Sequence, residues 1–287
     1  MIRFGPSGNS DSFYEQGYKS SVEMPEWLAG IGLNAYEYQC SKGVNISETK
    51  AIQLGNEARK YDIFLSIHAP YYINLSSMEE IKRRNSIKYM LDTLRAASWM
   101  GAKRIVIHSG ACTGIERREA LSMAMSTLRM AIDEADHAGL GHIAICPETM
   151  GKINQLGDLD EIIELCSMDE RLIPTLDFGH IHARGMGCLN IFEDFDRVLE
   201  LVGNKLGIER LSRVHCHFSR IEFTTGGEKK HWTLDDIQHG PNFEMLAQAI
   251  YNRKLSPVII CESRGTMAED ALKLKTIYEF IEGESKC

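Results

Sequence analysis

The chain lacks the marks of several protein classes. It has eight cysteines (Cys40, Cys112, Cys146, Cys166, Cys188, Cys216, Cys261 and Cys287) but no C-x-x-C pair. Free thiols in a reducing cytosol are therefore the expectation. No run of ~18 apolar residues occurs, so no membrane-spanning helix is expected. The opening MIRFGPSGNS has neither the basic start nor the apolar stretch of a secretion signal, and a cytoplasmic protein is expected. No Gly/Ser linker, block of like charge or low-complexity stretch divides the chain, which reads as one domain over 1–287. Positive charge is in deficit, with 32 Lys and Arg against 40 Asp and Glu and a net charge of −8. That balance argues against sequence-independent wrapping of nucleic acid, but it leaves room for a local phosphate site.

What is present is an ordinary globular composition, 44% hydrophobic and 25% charged, over 287 residues. Such a chain can bury a sizeable core. Short β-branched runs alternate with longer amphipathic stretches. The strand candidates are 2–6, 35–39, 63–70, 104–110, 142–148, 172–180, 213–219 and 256–263. The clearest helical patterns cover 78–100, 115–138 and 266–282. In the second of these, Leu121, Met125 and Leu128 recur at the spacing of one helix face. Repeated βα units require parallel strands. Eight units are the number that closes a (β/α)8 TIM barrel, the α/β fold expected here. An open doubly wound sheet is the alternative, but no G-x-G-x-x-G follows the first strand.

In a barrel of this kind the C-terminal ends of the strands carry the site. Those ends hold His68, His108, Glu148, Asp177 with His180, His215 with His217, and Glu262. Successive strands thus deliver imidazoles and carboxylates to one rim. Crowded carboxylates repel one another, and divalent cations remove that penalty. Neutral imidazole with carboxylate suits Zn2+ or Mn2+. There are more ligand-type residues than one tetrahedral ion needs, so two or three ions are expected. Clustered ions suit phosphodiester hydrolysis, since one activates water while another offsets charge on the leaving oxygen. Cys146, Cys216 and Cys261 are expected to face away from the site. His182, His217 and His239 are assigned supporting hydrogen-bonding roles, and His137 and His142 structural ones. Basic residues follow several strand ends: Lys42, Lys152, Arg184, Arg220, Lys229, Lys230 and Arg264. Together with bound cations they would draw an anionic substrate despite the net charge. Tyr71, Tyr72 and Trp232 could stack on bases or sugars.

The strings H-A-P-Y-Y-I-N-L (68–75), V-I-H-S-G (106–110), C-P-E-T (146–149), L-D-F-G-H (176–180), V-H (214–215) and I-I-C-E (259–262) resemble the endonuclease IV family. Those are metal-dependent abasic-site endonucleases on a (β/α)8 barrel in the xylose-isomerase-like superfamily. The resemblance implies three zinc ions and, as substrate, DNA containing abasic sites, cut 5′ to the lesion. By position, His68, His108 and Glu148 would hold the first ion. Glu148 would bridge to a second, held with Asp177, His215 and Glu262. His180 and His231 would hold the third. Glu148, Asp177 and Glu262 are the catalytic carboxylates of this reading. Tyr71 matches a tyrosine lining the nucleic-acid groove, and Tyr72, Lys229 and Arg264 join it as substrate-binding candidates. The family's Asp-x-His at the third ion is replaced by G-E-K-K-H, so that Lys229 stands where a carboxylate is expected. Gly226 and Gly227 ease a shift in chain path, so Glu228 is expected at the third ion and Lys229 towards solvent or a substrate phosphate. The Gln-Arg pair that follows strand two in the family is missing from 39–45. A monomer is expected. Two alternatives remain. One is a sugar isomerase or epimerase using one divalent ion on Glu148, Asp177, His215 and Glu262; the other is a binding protein that has lost catalysis.

Overall fold

The β-branched runs form strands because their side chains alternate between two buried environments, the barrel lumen and the helix layer. The structure is a computed structural model that describes residues 1–284. Eight parallel strands form the barrel: β1 (Arg3–Pro6), β2 (Ala35–Gln39), β3 (Phe64–His68), β4 (Arg104–Ile107), β5 (Ala144–Pro147), β6 (Thr175–Asp177), β7 (His215–Phe218) and β10 (Val258–Cys261). They lie in two arcs, ordered β1-β10-β7-β6 and β2-β3-β4-β5. Isolated parallel bridges join the arcs, Ser7 with Glu37 at one seam and Glu148 with Thr175 at the other. Gly5 explains the closeness of the first seam. A Cβ there would sit 1.8 Å from the Ala35 carbonyl oxygen.

Helices cover the outside, including Glu48–Lys60, Glu80–Met100, Arg117–His137, Phe192–Leu206, Phe243–Asn252 and Met267–Glu284. Arg117–His137 shows the pattern. Its buried face is Ala120, Leu121, Ala124, Leu128, Ala131, Ile132 and Ala135, three to four residues apart. It packs beside helix Glu80–Met100. The main core lies between helices and strands, and two smaller apolar clusters fill the lumen: Ala35, Val258 and Ile260, and Val106, Cys146 and Ile173.

The sequence-predicted helices match to within two or three residues, and the strand segments contain the observed strands. Two features depart. The segment 172–180 is strand only over Thr175–Asp177, after which helix Phe178–Arg184 begins. Asp177 caps that helix, its Oδ1 accepting from the His180 N–H at 2.7 Å, so the chain turns at the residue that ends the strand. Between β7 and β10 an antiparallel hairpin, β8 (Arg220–Thr224) and β9 (Gly227–Trp232), rises from the rim, unforeseen from the sequence. It turns through Thr225 and Gly226. No helix among the described residues is long and apolar enough to cross a membrane. All seven described cysteines are free; Cys287 lies outside the described residues.

Candidate metal centre

Side-chain parity along the strands builds the rim. Residues two apart point the same way, so each strand contributes stacked layers to the lumen. The top layer holds His68, His108, Glu148, Asp177, His217 and Glu262. Glu37 and His215 lie one layer down with Ser66 and Cys146. The expectation that His215 joins Asp177 and Glu262 is therefore corrected. His215 Nε2 faces Glu37 Oε2 at 2.9 Å, and His217 takes the place at the rim. Cys146 is corrected on the same ground. It precedes Glu148 by two residues, so it points into the lumen, whereas Cys216 and Cys261 face the helix layer.

Three groups of ligand-type residues meet at this rim. Within each, one donor atom per residue lies within 4.8 Å of the others: His68, His108 and Glu148; Glu148, Asp177, His217 and Glu262; His180, Glu228 and His231. Glu148 belongs to two of them and is 1% exposed. Its Oε2 is 3.2 Å from His68 Nε2 and 3.3 Å from His108 Nε2. Its Oε1 is 3.2 Å from His217 Nδ1 and 3.4 Å from His180 Nδ1. Burial alone would raise the Glu148 carboxyl, but His217, His108 and His180 outweigh it and hold the group well below the usual carboxylate range. Burial pushes Asp177 the other way, up to about 6.

Several imidazoles have one nitrogen tied down and the other presented. His68 Nδ1 meets the Ala69 carbonyl at 2.9 Å, which leaves Nε2 for Glu148. His180 Nδ1 meets the Thr149 carbonyl at 2.9 Å, which leaves Nε2 3.4 Å from Glu228 Oε2. His231 Nδ1 meets Ser219 Oγ at 2.8 Å, and its Nε2 lies 3.6 Å from Glu228 Oε1. Anchoring of this kind orients metal-binding imidazoles. The donor set passes a further test. Asp177 Oδ2 is buried with no hydrogen-bond partner, at the rim where a cation would satisfy it.

The hairpin supplies the third group. Glu228 and His231 sit on β9, and Glu228 packs against Gly151, whose carbonyl accepts from the Glu228 N–H at 3.1 Å. The Glu228 carboxyl is held down to about 2; burial opposes this, and the hydrogen bond to His231 and the charge of His180 prevail. The neighbouring Lys229 points outward and pairs with Glu222. Sequence reasoning thus placed Glu228 beside His180 and His231, where the structure has it.

Two cavities flank the rim and meet at Tyr71. One, of about 360 Å3, is bounded by Ser7, Gln39, Lys230, His231, Glu262 and Arg264. The other, of about 410 Å3, is bounded by Tyr72, Lys82, Asn85, Tyr89 and His108. Tyr71 and Tyr72 are about half exposed, and the Tyr71 ring lies 5.6 Å from both His68 and His108. Trp232 is not free to stack on both faces, since His239 lies parallel to it and Lys230 sits over its ring. His182 and His239 stay outside the three groups, and His137 and His142 lie on the exterior. The residues missed by sequence reasoning are Glu37, Gln39 and Ser7. Gln39 Nε2 donates to Ser7 Oγ, which donates to Glu262 Oε1 at 3.0 Å. Their parity with the rim layer on β1 and β2 was the available signal.

The xylose isomerase-like TIM barrel family matches residues 25–279. The chain belongs to that family. An uncharacterized protein of Methanocaldococcus jannaschii is 34% identical to this xylose isomerase-like barrel over 278 residues, 97% of each chain. A probable endonuclease 4 of Mycoplasma genitalium is 29% identical over 248 residues, 84% of this chain and 76% of the relative. Among solved structures, a D-tagatose 3-epimerase-like protein superposes with a TM-score of 0.74 at 22% identity, covering 100% of both chains. At that identity the likeness concerns the fold alone.

Proposed function

We propose that this barrel is a metal-dependent phosphodiesterase of the endonuclease IV kind, which hydrolyses DNA 5′ to abasic sites. The observation that carries the reading is the sharing of Glu148 between two ligand groups, with a third group beside them. A one-ion sugar enzyme needs only one such group. Three zinc ions fit the residues: the first on His68, His108 and Glu148, the second on Glu148, Asp177, His217 and Glu262, the third on His180, Glu228 and His231. When bound, such ions supply activated water and positive charge for the phosphoryl oxygens. Mn2+ is the second choice, since the donors are imidazole and carboxylate without thiolate.

The chain's own residues do the rest. Tyr71 stands between the two cavities, where a sugar or base can rest on its ring. Arg264 and Lys230 border the cavity next to Glu262 and bring positive charge to the phosphate. Lys229 reaches out from the hairpin towards the backbone of a long substrate. The Ser7–Glu262 hydrogen bond holds the Glu262 carboxylate in place. The endonuclease 4 relative supports a DNA substrate. A second reading, a ketose epimerase, is favoured by two observations. Glu148, Asp177, His217 and Glu262 form a complete single-ion site by themselves, and a D-tagatose 3-epimerase-like structure shares the fold.

The test is incision of a duplex carrying one tetrahydrofuran abasic analogue, with zinc and with a chelator. Zinc-dependent cleavage on the 5′ side is the expected result. No incision, with interconversion of ketohexoses by the same sample, would replace this reading with the epimerase.

A further inference from the structure

The imidazole of His217 differs from the others at the rim in what stands behind it. His68 and His180 lean on backbone carbonyls and His231 on a serine hydroxyl, whereas His217 faces a buried carboxylate. Its Nε2 lies 3.0 Å from Glu37 Oε1, and both residues are fully buried. The contact is bent, since an N–H on Nε2 does not aim straight at the oxygen, but no other group offers that nitrogen a hydrogen bond. Glu37 is itself held by Ser66 Oγ at 2.8 Å and His215 Nε2 at 2.9 Å. Beneath it, Arg104 Nη1 reaches His215 Nδ1 at 3.5 Å and the Arg213 carbonyl at 3.0 Å.

The direction of these bonds is determined by chemistry. A guanidinium can only donate, so His215 Nδ1 must accept. A neutral His215 then carries its proton on Nε2 and donates to Glu37. An ionised carboxylate only accepts, and across the 3.0 Å contact Glu37 favours a proton on His217 Nε2. Its Nδ1 hydrogen-bonds Glu148 Oε1 at 3.2 Å in the metal-free fold and lies 3.5 Å from Glu262 Oε1, so an ion bound there would replace the Nδ1 proton and leave Nε2 as the protonated nitrogen facing Glu37. We propose that Glu37 is a positioning residue, and that the buried chain Arg104–His215–Glu37–His217 sets the tautomer with which His217 meets the central ion. The chain crosses the lumen from its floor to its rim, which explains two polar residues, Glu37 and His215, buried a layer below the site. The inference rests on the metal reading of the rim and adds a mechanism for its affinity.

Two measurements on zinc-loaded protein test it. Imidazole 15N NMR of the unmodified chain should show His217 protonated on Nε2 with zinc on Nδ1, and His215 protonated on Nε2. Chelator titration should show one zinc of Glu37→Gln held about 10–100-fold more weakly, the loss typical of a partner behind a ligating imidazole, with the others unchanged. Zinc on Nε2 of His217, a proton on Nδ1 of His215, or a Glu37→Gln titration superimposable on the parent would overturn the assignment of Glu37 alone. An unmodified chain that binds no zinc would overturn the metal reading as well.

Discussion

Gly151 offers the sharpest test of the hairpin's role. An added Cβ would lie 2.6 Å from Glu228 Cβ, 2.9 Å from His180 Cδ2 and 3.1 Å from Glu228 Oε2. Ordinary carbon contacts are about 3.5–4.0 Å, so Gly151→Ala must drive Glu228 and His180 back by about 1 Å. Neither can yield alone. His180 is fixed by the helix cap and the Thr149 carbonyl, and Gly227 packs against the Gly151 carbonyl. The hairpin must move as a unit. Overpacking of this size costs about 1–3 kcal/mol. For a chain near this size each kcal/mol lowers Tm by about 2–4 °C. The larger effect is functional, because metal–ligand distances tolerate only about 0.2 Å. Gly151→Ala should lose one zinc at low chelator concentration and incise abasic duplex on the order of 100-fold more slowly, the scale of a 1 Å misplacement. Native mass spectrometry after graded chelation and a gel incision assay measure both. A variant that keeps every zinc and its full rate would refute the placement of Glu228 and His180 on a shared ion.

Other outcomes follow from the same geometry. Glu148→Gln should fold normally by circular dichroism and lose incision by on the order of 100–1000-fold, since it removes the one charge common to two groups. Glu228→Ala should lose the same zinc as Gly151→Ala while retaining the other two. Burial pushes the Asp177 carboxyl up to about 6 in the metal-free fold, above its ordinary value of 3.8. Its contribution to stability is therefore full below pH about 4 and falls away as pH rises through 6. Metal-free Asp177→Asn should accordingly be the more stable form at pH 7, by up to ~3 kcal/mol at 1.36 kcal/mol per pH unit, with the gap closing below pH 4 in urea unfolding. Burial pushes the thiols of Cys146, Cys216 and Cys261 up to about 12, so native protein should resist their alkylation while exposed Cys188 reacts.

The barrel was legible because eight β-branched runs alternate with helical patterns, and because His68, His108, Glu148 and Glu262 each end a strand. Parity decided what was misread. In V-H-C-H-F both histidines fit a strand end, and only the pairing of His217 with Asp177 on β6 places it in the top layer. The same two-residue period sends Cys146 into the lumen beneath Glu148. Glu37 was passed over because A-Y-E-Y-Q reads as a half-buried strand, and one carboxylate in such a strand is usually solvated; here it is buried against Ser66 of β3 and His215 and His217 of β7. The hairpin was hidden for a different reason. Its strands carry polar ligands and lysines, and although Ile221 is buried and Phe223 packs on His182 of helix Phe178–Arg184, neither contact is visible in the local sequence. Glu228 was nevertheless within reach of sequence reasoning, because Gly226 and Gly227 give the turn the freedom to present it.

The central claim is that this rim holds a cluster of ions around Glu148. Native mass spectrometry of the full chain, reconstituted with zinc and freed of excess metal, counts them directly. Three zinc ions per chain are expected, falling to two in Glu228→Ala. A single zinc in the unmodified chain, retained in full by Glu228→Ala, would contradict the account.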